Sequence, residues 1–271
     1  MNSRRRSLYL LAAMLLAAAC GEERTHGASD RTVTISRTWP ATAVHALRVF
    51  EVNGSISVDA SPGDAISLTA TVHGRDVAPK QGVENQGLFE TRLDGDVLSI
   101  GRKREEKHGL HIPMLFGSDE VQIDYVLHVP PSVTLDASTV NGRIATRGVE
   151  GETEATTVNG TIDVESAGIS EVRATTVNGK VKAKFLRGFE GARLKTVNGG
   201  VTAWLPASAS FSVDLAQMNG DFEAAFPLSI HSDPGRRRVS GTINGGDHEL
   251  KIVTVNGDVE LEKLGGGGST K

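Results

Sequence analysis

From residue 33 onward the chain alternates in short runs. ISLTATV (66–72) and QIDYVLHV (122–129) place an apolar side chain at nearly every second position. A period of two predicts strands with one face buried. RLDGDVLSI (92–100) is interrupted by Asp94-Gly95 and predicts a hairpin there. The run at 122–129 stops at Pro130-Pro131, neither of which can donate to a ladder. No convincing 3.6-residue period follows residue 19, so the expected class is all-β.

Beyond residue 134 the alternation is tied to four letters. Thr-Val-Asn-Gly stands at 139–142, 157–160, 176–179, 196–199 and 254–257. Gln217-Met218-Asn219-Gly220 is a degenerate copy, and Glu51-Val52-Asn53-Gly54 is an early one. From Asn141 to Asn159, Asn178, Asn198 and Asn219 the spacings are 18, 19, 20 and 21, and Asn256 follows 37 later. Asn244, between these last two, reads as a turn inside a degenerate double repeat. A fixed period near 20 marks an array whose units bury their faces only against neighbours.

The columns around each Asn divide into held and drifting positions. One before it is always apolar (Val140, Val158, Val177, Val197, Met218, Val255), and so is three after (Ile144, Ile162, Val181, Val201, Phe222, Val259). Four before is small or aliphatic. Two after stand Arg143, Thr161, Lys180, Gly200, Asp221 and Asp258, which share no chemistry. The held columns, Val158 and Ile162 among them, are expected inside and the drifting ones in water. Stacking in chain order puts Asp221 and Asp258 some two coils apart.

Asn-Gly suits two architectures. It makes a type I′ turn in a hairpin, or a corner in a solenoid, with Gly in the left-handed conformation. In a two-residue hairpin the apolar residue before Asn would oppose the polar residue after Gly, a poor pair. The favoured fold is therefore an all-β β-solenoid, a right-handed β-helix of roughly 20-residue coils. The structural corners are Asn53-Gly54, Asn141-Gly142, Asn159-Gly160, Asn178-Gly179, Asn198-Gly199, Asn219-Gly220 and Asn256-Gly257. An antiparallel β-meander of repeated hairpins remains the alternative.

The ends change the picture more than the composition does. Arg4, Arg5 and Arg6 followed by the apolar run Leu8–Ala19 form a signal peptide over residues 1–19. LAAAC (16–20) resembles a bacterial lipobox, with Ala17 where Leu is usual. The resemblance implies that Cys20 carries a lipid and anchors the chain to a membrane. Cys20 is the only cysteine, so no disulfide framework exists. Residues 20–31 read as a flexible tether, 32–264 as the repeat domain (32–134 irregular, 135–264 a regular ladder) and 265–271 (GGGGSTK) as a tail. If the source is Gram-negative, Gly21 after the lipidated Cys favours the outer membrane.

Removing residues 1–19 takes away three arginines and no acid, which carries the formal charge from −4 to −7. An acidic domain neutralises no phosphates, so nucleic acid is not an expected partner. Aromatic residues are 4%, low for a sugar-stacking cleft.

Catalytic sets fail in turn. The eight histidines show no metal spacing; His108 and His111 lack partner ligands. There is no Gly-x-Ser-x-Gly elbow and no phosphate loop. Ser55 and Thr161 read as corner residues. Asp163 occupies a different column from Asp221 and Asp258, so no carboxylate pair is expected. Gly245-Gly246-Asp247 occurs once, whereas a calcium repeat works by repetition. No catalytic residue, metal or cofactor is expected.

Together the T-V-N-G repeat, the opening NGSISV (53–58), the VPP (129–131) before the ladder and the closing TVNGDVEL (254–261) resemble the bacterial putative-adhesin proteins of unknown function. The likeness spans roughly residues 33–264. It implies a β-helical domain at the cell surface. The expected function is a non-enzymatic envelope lipoprotein whose scaffold binds a surface protein or envelope polymer. One alternative is an envelope-stress or regulatory accessory using the apolar stretch HIPMLF (111–116). Another is a carbohydrate-active β-helix enzyme.

Overall fold

The repeats pair side by side in parallel, Asn opposite Asn. In this computed structural model the described residues are 31–74, 89–102, 121–167, 169–233 and 236–265. Residues 1–19, Cys20, the tether up to residue 30, His108, the stretch 111–116 and the tail from 266 lie outside them.

Two parallel-rich sheets, of ten and eleven strands, carry the fold. The only described helical element is a 3-10 turn, Ala41–Ala43. Each repeat runs one strand in the larger sheet, passes its Asn-Gly, then runs one in the smaller. Thr134–Asn141 is followed by Ile144–Val149, and Thr153–Asn159 by Ile162–Ser166. Seven such rungs stack. The meander alternative is thereby set aside for the repeats: a hairpin would pair them antiparallel.

Antiparallel pairing is found at the ends of the stack. Arg31–Pro40 and Ala65–Gly74 extend the ten-stranded sheet beyond Gln122–Val129. Glu90–Asp94 and Val97–Gly101 form the hairpin predicted at Asp94-Gly95. Arg236–Ile243 closes the other end against Phe211–Asn219.

The stack does not follow chain order. The rung of His248–Asn256 and Val259–Lys263 enters between the rungs of Asn198 and Asn219. The final copy in sequence is thus internal, and the degenerate copy at 217–220 stands outermost. Asp221 and Asp258, expected two coils apart, are neighbours: the Asp221 backbone N–H donates to Asp258 Oδ1 at 2.9 Å.

The core lies between the sheets. The column four before each Asn (Ala137, Ala155, Ala174, Leu194, Leu215, Ile252) is buried, as are Ile144, Ile162, Val181, Val201 and Val259 three after. Both sets were expected inside. Phe222, on the outermost three-residue strand, is only partly covered. Edge-to-face aromatics fill the outer end, from Phe185 through Phe189 and Phe211 to Phe226 at 4.9–5.6 Å.

Candidate functional site

The column immediately before each Asn was expected inside and is outside. Val158 is 39% exposed, Val177 37% and Met218 50%. The buried residue is one earlier: Thr139, Thr157, Thr176, Thr196 and Thr254. Its hydroxyl explains the inversion. Thr176 Oγ1 donates to Gly160 O of the neighbouring rung at 3.0 Å, and Thr196 Oγ1 to Gly179 O at 3.0 Å. The other three repeat the bond at 3.2 Å. A hydroxyl with a fixed acceptor can be buried at little cost. Each strand alternates, so burying Thr turns the following Val to water.

Outside, the Asn side chains form a ladder. Each Nδ2 donates to the Oδ1 of the rung before it, at 2.8–2.9 Å, from Asn219 through Asn256, Asn198, Asn178, Asn159 and Asn141 to Asn53. All point the same way, so the amide dipoles add.

The glycines are needed for room. A Cβ on Gly142, Gly160, Gly179 or Gly199 would stand 1.8–1.9 Å from a neighbouring carbonyl oxygen. The positive φ expected of these glycines is found at four of the seven corners and not at Gly142, Gly160 or Gly179. Gly54, Gly199, Gly220 and Gly257 have φ of 145°, 158°, 127° and 158°, a more extended form than the left-handed helical value near +57°.

The two degenerate copies place different residues in the threonine column, at the two ends. Gln217 Nε2 donates to Gly257 O at 2.8 Å and to Asp221 O at 3.1 Å. Glu51, fully buried, accepts the Val52 and Asn53 backbone N–H groups. Arg102 Nε reaches its Oε1 at 2.5 Å, and Tyr125 Oη donates to its Oε2 at 3.0 Å. Burial, with the Glu51 charge and hydrogen bond, pushes the Tyr125 hydroxyl well above its ordinary pKa. Sequence reading missed this cluster. Its one visible sign was an acid in a column held by threonine in the five full copies.

Beside Asn53 the fold assembles Ser55, His73, Gln122 and Asp124, the group nearest in type to a catalytic set. Ser55 Oγ and its backbone N–H both donate to Asp124 Oδ1 at 2.7 Å. His73 Nε2 lies 3.3 Å from Asp124 Oδ2. A nucleophilic serine needs a base able to take its proton near neutral pH. Burial works to raise the Asp124 pKa, but the Ser55 and Gln122 hydrogen bonds and the His73 charge hold it below the usual carboxylate value. With its hydroxyl donated to so weak a base, Ser55 is tied down rather than activated.

The outward face of the ten-stranded sheet is banded by charge. One rung carries Lys180, Lys182 and Lys184; the next Gly200, Thr202 and Trp204; the next Asp258, Glu260 and Glu262. The outermost adds Asp221 and Glu223. Arg143 pairs with Asp163 at 2.6 Å, and Lys184 with Glu165 at 3.5 Å. Two shallow depressions lie along the Asn-Gly rim, one from Asn53 to Arg143 and one from Gly142 to Lys182. No cluster of three or more His, Cys, Asp or Glu residues suited to a metal occurs among the described residues.

The profile of the Toastrack DUF4097 family matches residues 29–262. The chain belongs to that family. Similar solved structures are matched over nearly their whole length. A putative cell adhesion protein from Clostridium sporogenes is 9% identical, covering 86% of this chain and 100% of its own, with a TM-score of 0.43. A putative adhesin from Bacteroides fragilis is 10% identical, covering 84% and 97%, with a TM-score of 0.29. A putative lipid binding protein from Parabacteroides distasonis is 10% identical, covering 84% and 96%, with a TM-score of 0.33. No curated protein matches the chain.

Proposed function

We propose that this Toastrack protein is a non-enzymatic cell-envelope lipoprotein whose stacked rungs present a binding surface. Its stack is a right-handed β-solenoid with the Asn-Gly pairs as corners. Cys20 carries the lipid, the tether lifts the domain off the membrane, and the membrane is the outer one if the source is Gram-negative. The partner is a surface protein or an envelope polymer, and the domain acts by adhesion.

The outward aliphatic column supports this reading. Val52, Val140, Val158, Val177, Val197, Val255 and Met218 run beside the Asn ladder, and three of them are more than a third exposed. Solvent positions free of demands drift, as the column after Gly does; this one stays aliphatic in every rung. At ~4.8 Å per rung the stripe is about 30 Å long, which suits an extended partner.

The test combines fractionation and capture. Lipidated wild type should sediment with membranes, and Cys20→Ala should not. Wild type should retain isolated envelope polymer or surface protein, and the pair Val158→Asp with Val177→Asp should lose it while keeping the melting curve. Membrane association without Cys20 defeats the anchoring claim. Undiminished capture by the folded double variant defeats the claim for the stripe.

A further inference from the structure

We infer that the banded face of the ten-stranded sheet is a self-complementary docking surface for a second copy of this chain, centred on Thr202 and Trp204. This goes beyond the adhesive reading and does not depend on it.

The charge order carries the inference. Three rungs in succession present Lys180, Lys182 and Lys184, then Gly200, Thr202 and Trp204, then Asp258, Glu260 and Glu262. These are outward positions, because the residues between them (Val181, Ala183, Val201, Ala203, Val259, Leu261) are buried. A two-fold axis parallel to the strands, over the Thr202 rung, flips the face and reverses rung order but keeps strand direction. Each column then meets itself. Lys180 falls opposite Asp258 of the second copy, Lys182 opposite Glu260 and Lys184 opposite Glu262. Symmetry repeats all three pairs, as an isologous contact requires. Trp204 meets Trp204 of the second copy at the centre.

Moving the axis half a rung toward the acids keeps two charge pairs, Lys180 with Asp221 and Lys182 with Glu223, in place of three. Moving the axis half a rung toward the lysines puts Asp163 and Glu165 against the acidic rung. On the chosen axis Asp163 faces Glu223 and Thr161 faces Asp221, so one like-charged pair results, and Asp163 is already paired with Arg143 at 2.6 Å. The flanking repulsion is therefore partly neutralised, while the central lysine and acid bands attract.

Size sets the strength. Five rungs at ~4.8 Å and five residues at ~3.3 Å give a footprint of about 400 Å² per copy. That is roughly half a standard interface, so association is weak and transient, and the concentration to test is on the order of 100 μM, between the micromolar and millimolar marks of weak binding. Association is also salt-sensitive, because the screening length falls from ~10 Å at 0.1 M to ~3 Å at 1 M.

Sedimentation equilibrium tests it, using the chain with Cys20→Ser so that lipid cannot drive association. The expected result is a monomer–dimer equilibrium in low salt that moves to monomer in high salt. Lys182→Glu sets two carboxylates face to face, and Glu260→Lys two ammonium groups. Each variant alone should weaken dimerisation roughly tenfold or more. Mixing the two variants pairs opposite charges at both symmetric positions and should restore a heterodimer, as should combining both changes in one chain. Restoration by mixing cannot come from misfolded variants. A chain that stays monomeric in low salt at several times that concentration overturns the proposal. So does a dimer indifferent to both substitutions, or a mixture of the variants that does not associate.

Discussion

Asn256 donates its side-chain amide to Asn198, 58 residues away, and accepts that of Asn219, 37 residues away. The last rung in the chain is thus the link between the two that precede it in sequence. A stack built in chain order could lose its final repeat as a terminal cap. This one cannot.

Ending the chain at residue 246 should therefore abolish cooperative folding. The lost rung buries Leu250, Ile252, Val259 and Leu261. At about 1.5–3 kcal/mol each the loss is of the order of a domain's whole stability, ~5–15 kcal/mol. A sharp thermal transition by circular dichroism in the truncated chain would contradict the placement of that rung.

The inner and outer ladders should differ in cost. Asn178 makes two amide bonds but is exposed, so water can replace them. Asn178→Ala should cost about 1 kcal/mol. Thr176 is buried, and Thr176→Val leaves the Gly160 carbonyl without its donor. That should cost about 1–3 kcal/mol. Urea unfolding that ranks Asn178→Ala as the more damaging of the two would contradict the reading of threonine as the inner tether.

Gly160→Ala should be severe for a steric reason. The added Cβ would lie 1.8 Å from Gly142 O, which is backbone and cannot swing away. A loss of roughly 3 kcal/mol or more is expected. Gly63→Ala, with nothing within 4 Å, should be nearly neutral. Equal melting temperatures for the two variants would remove close packing as the reason for glycine in the motif.

Tyr125 makes the inner end sensitive to alkali. Its folded pKa is raised, by burial first and by Glu51 next. Above about pH 10 an unfolded tyrosine ionises while the folded one keeps its proton. The unfolded state then binds fewer protons, so stability falls as pH rises through and beyond 10. Tyr9 lies in the expected signal peptide, which leaves Tyr125 as the one tyrosine of the processed chain. Its tyrosinate absorbance should appear only on unfolding, and Tyr125→Phe should lessen the alkaline loss. Tyrosinate absorbance in the folded protein near pH 10 would place the hydroxyl in water instead.

The sequence by itself determined much of this protein. Period-two runs set the strands, because a half-buried strand must alternate. The Asn-Gly repeat set the period and favoured a parallel array, and the strand pairing then set the meander aside. The aliphatic columns four before and three after each Asn set the core. The family likeness was legible in TVNG, NGSISV and VPP.

What it could not determine were the choices that depend on a neighbour. Thr and Val are adjacent, and either can face inward on hydrophobicity alone. Thr157 is inside because the Gly142 carbonyl of the next rung is there to accept its proton. Glycine is required because that same rung approaches too closely for a Cβ, which no local turn rule describes. The placement of Asn256 between Asn198 and Asn219 pairs strands far apart in the chain, and spacing along a chain carries no record of order in space. The Glu51–Arg102–Tyr125 cluster and the Ser55–Asp124 pair join residues 51, 74 and 69 positions apart. Only the tertiary structure decided these, because a buried charge and a buried hydroxyl are stable only where folding brings a partner to them.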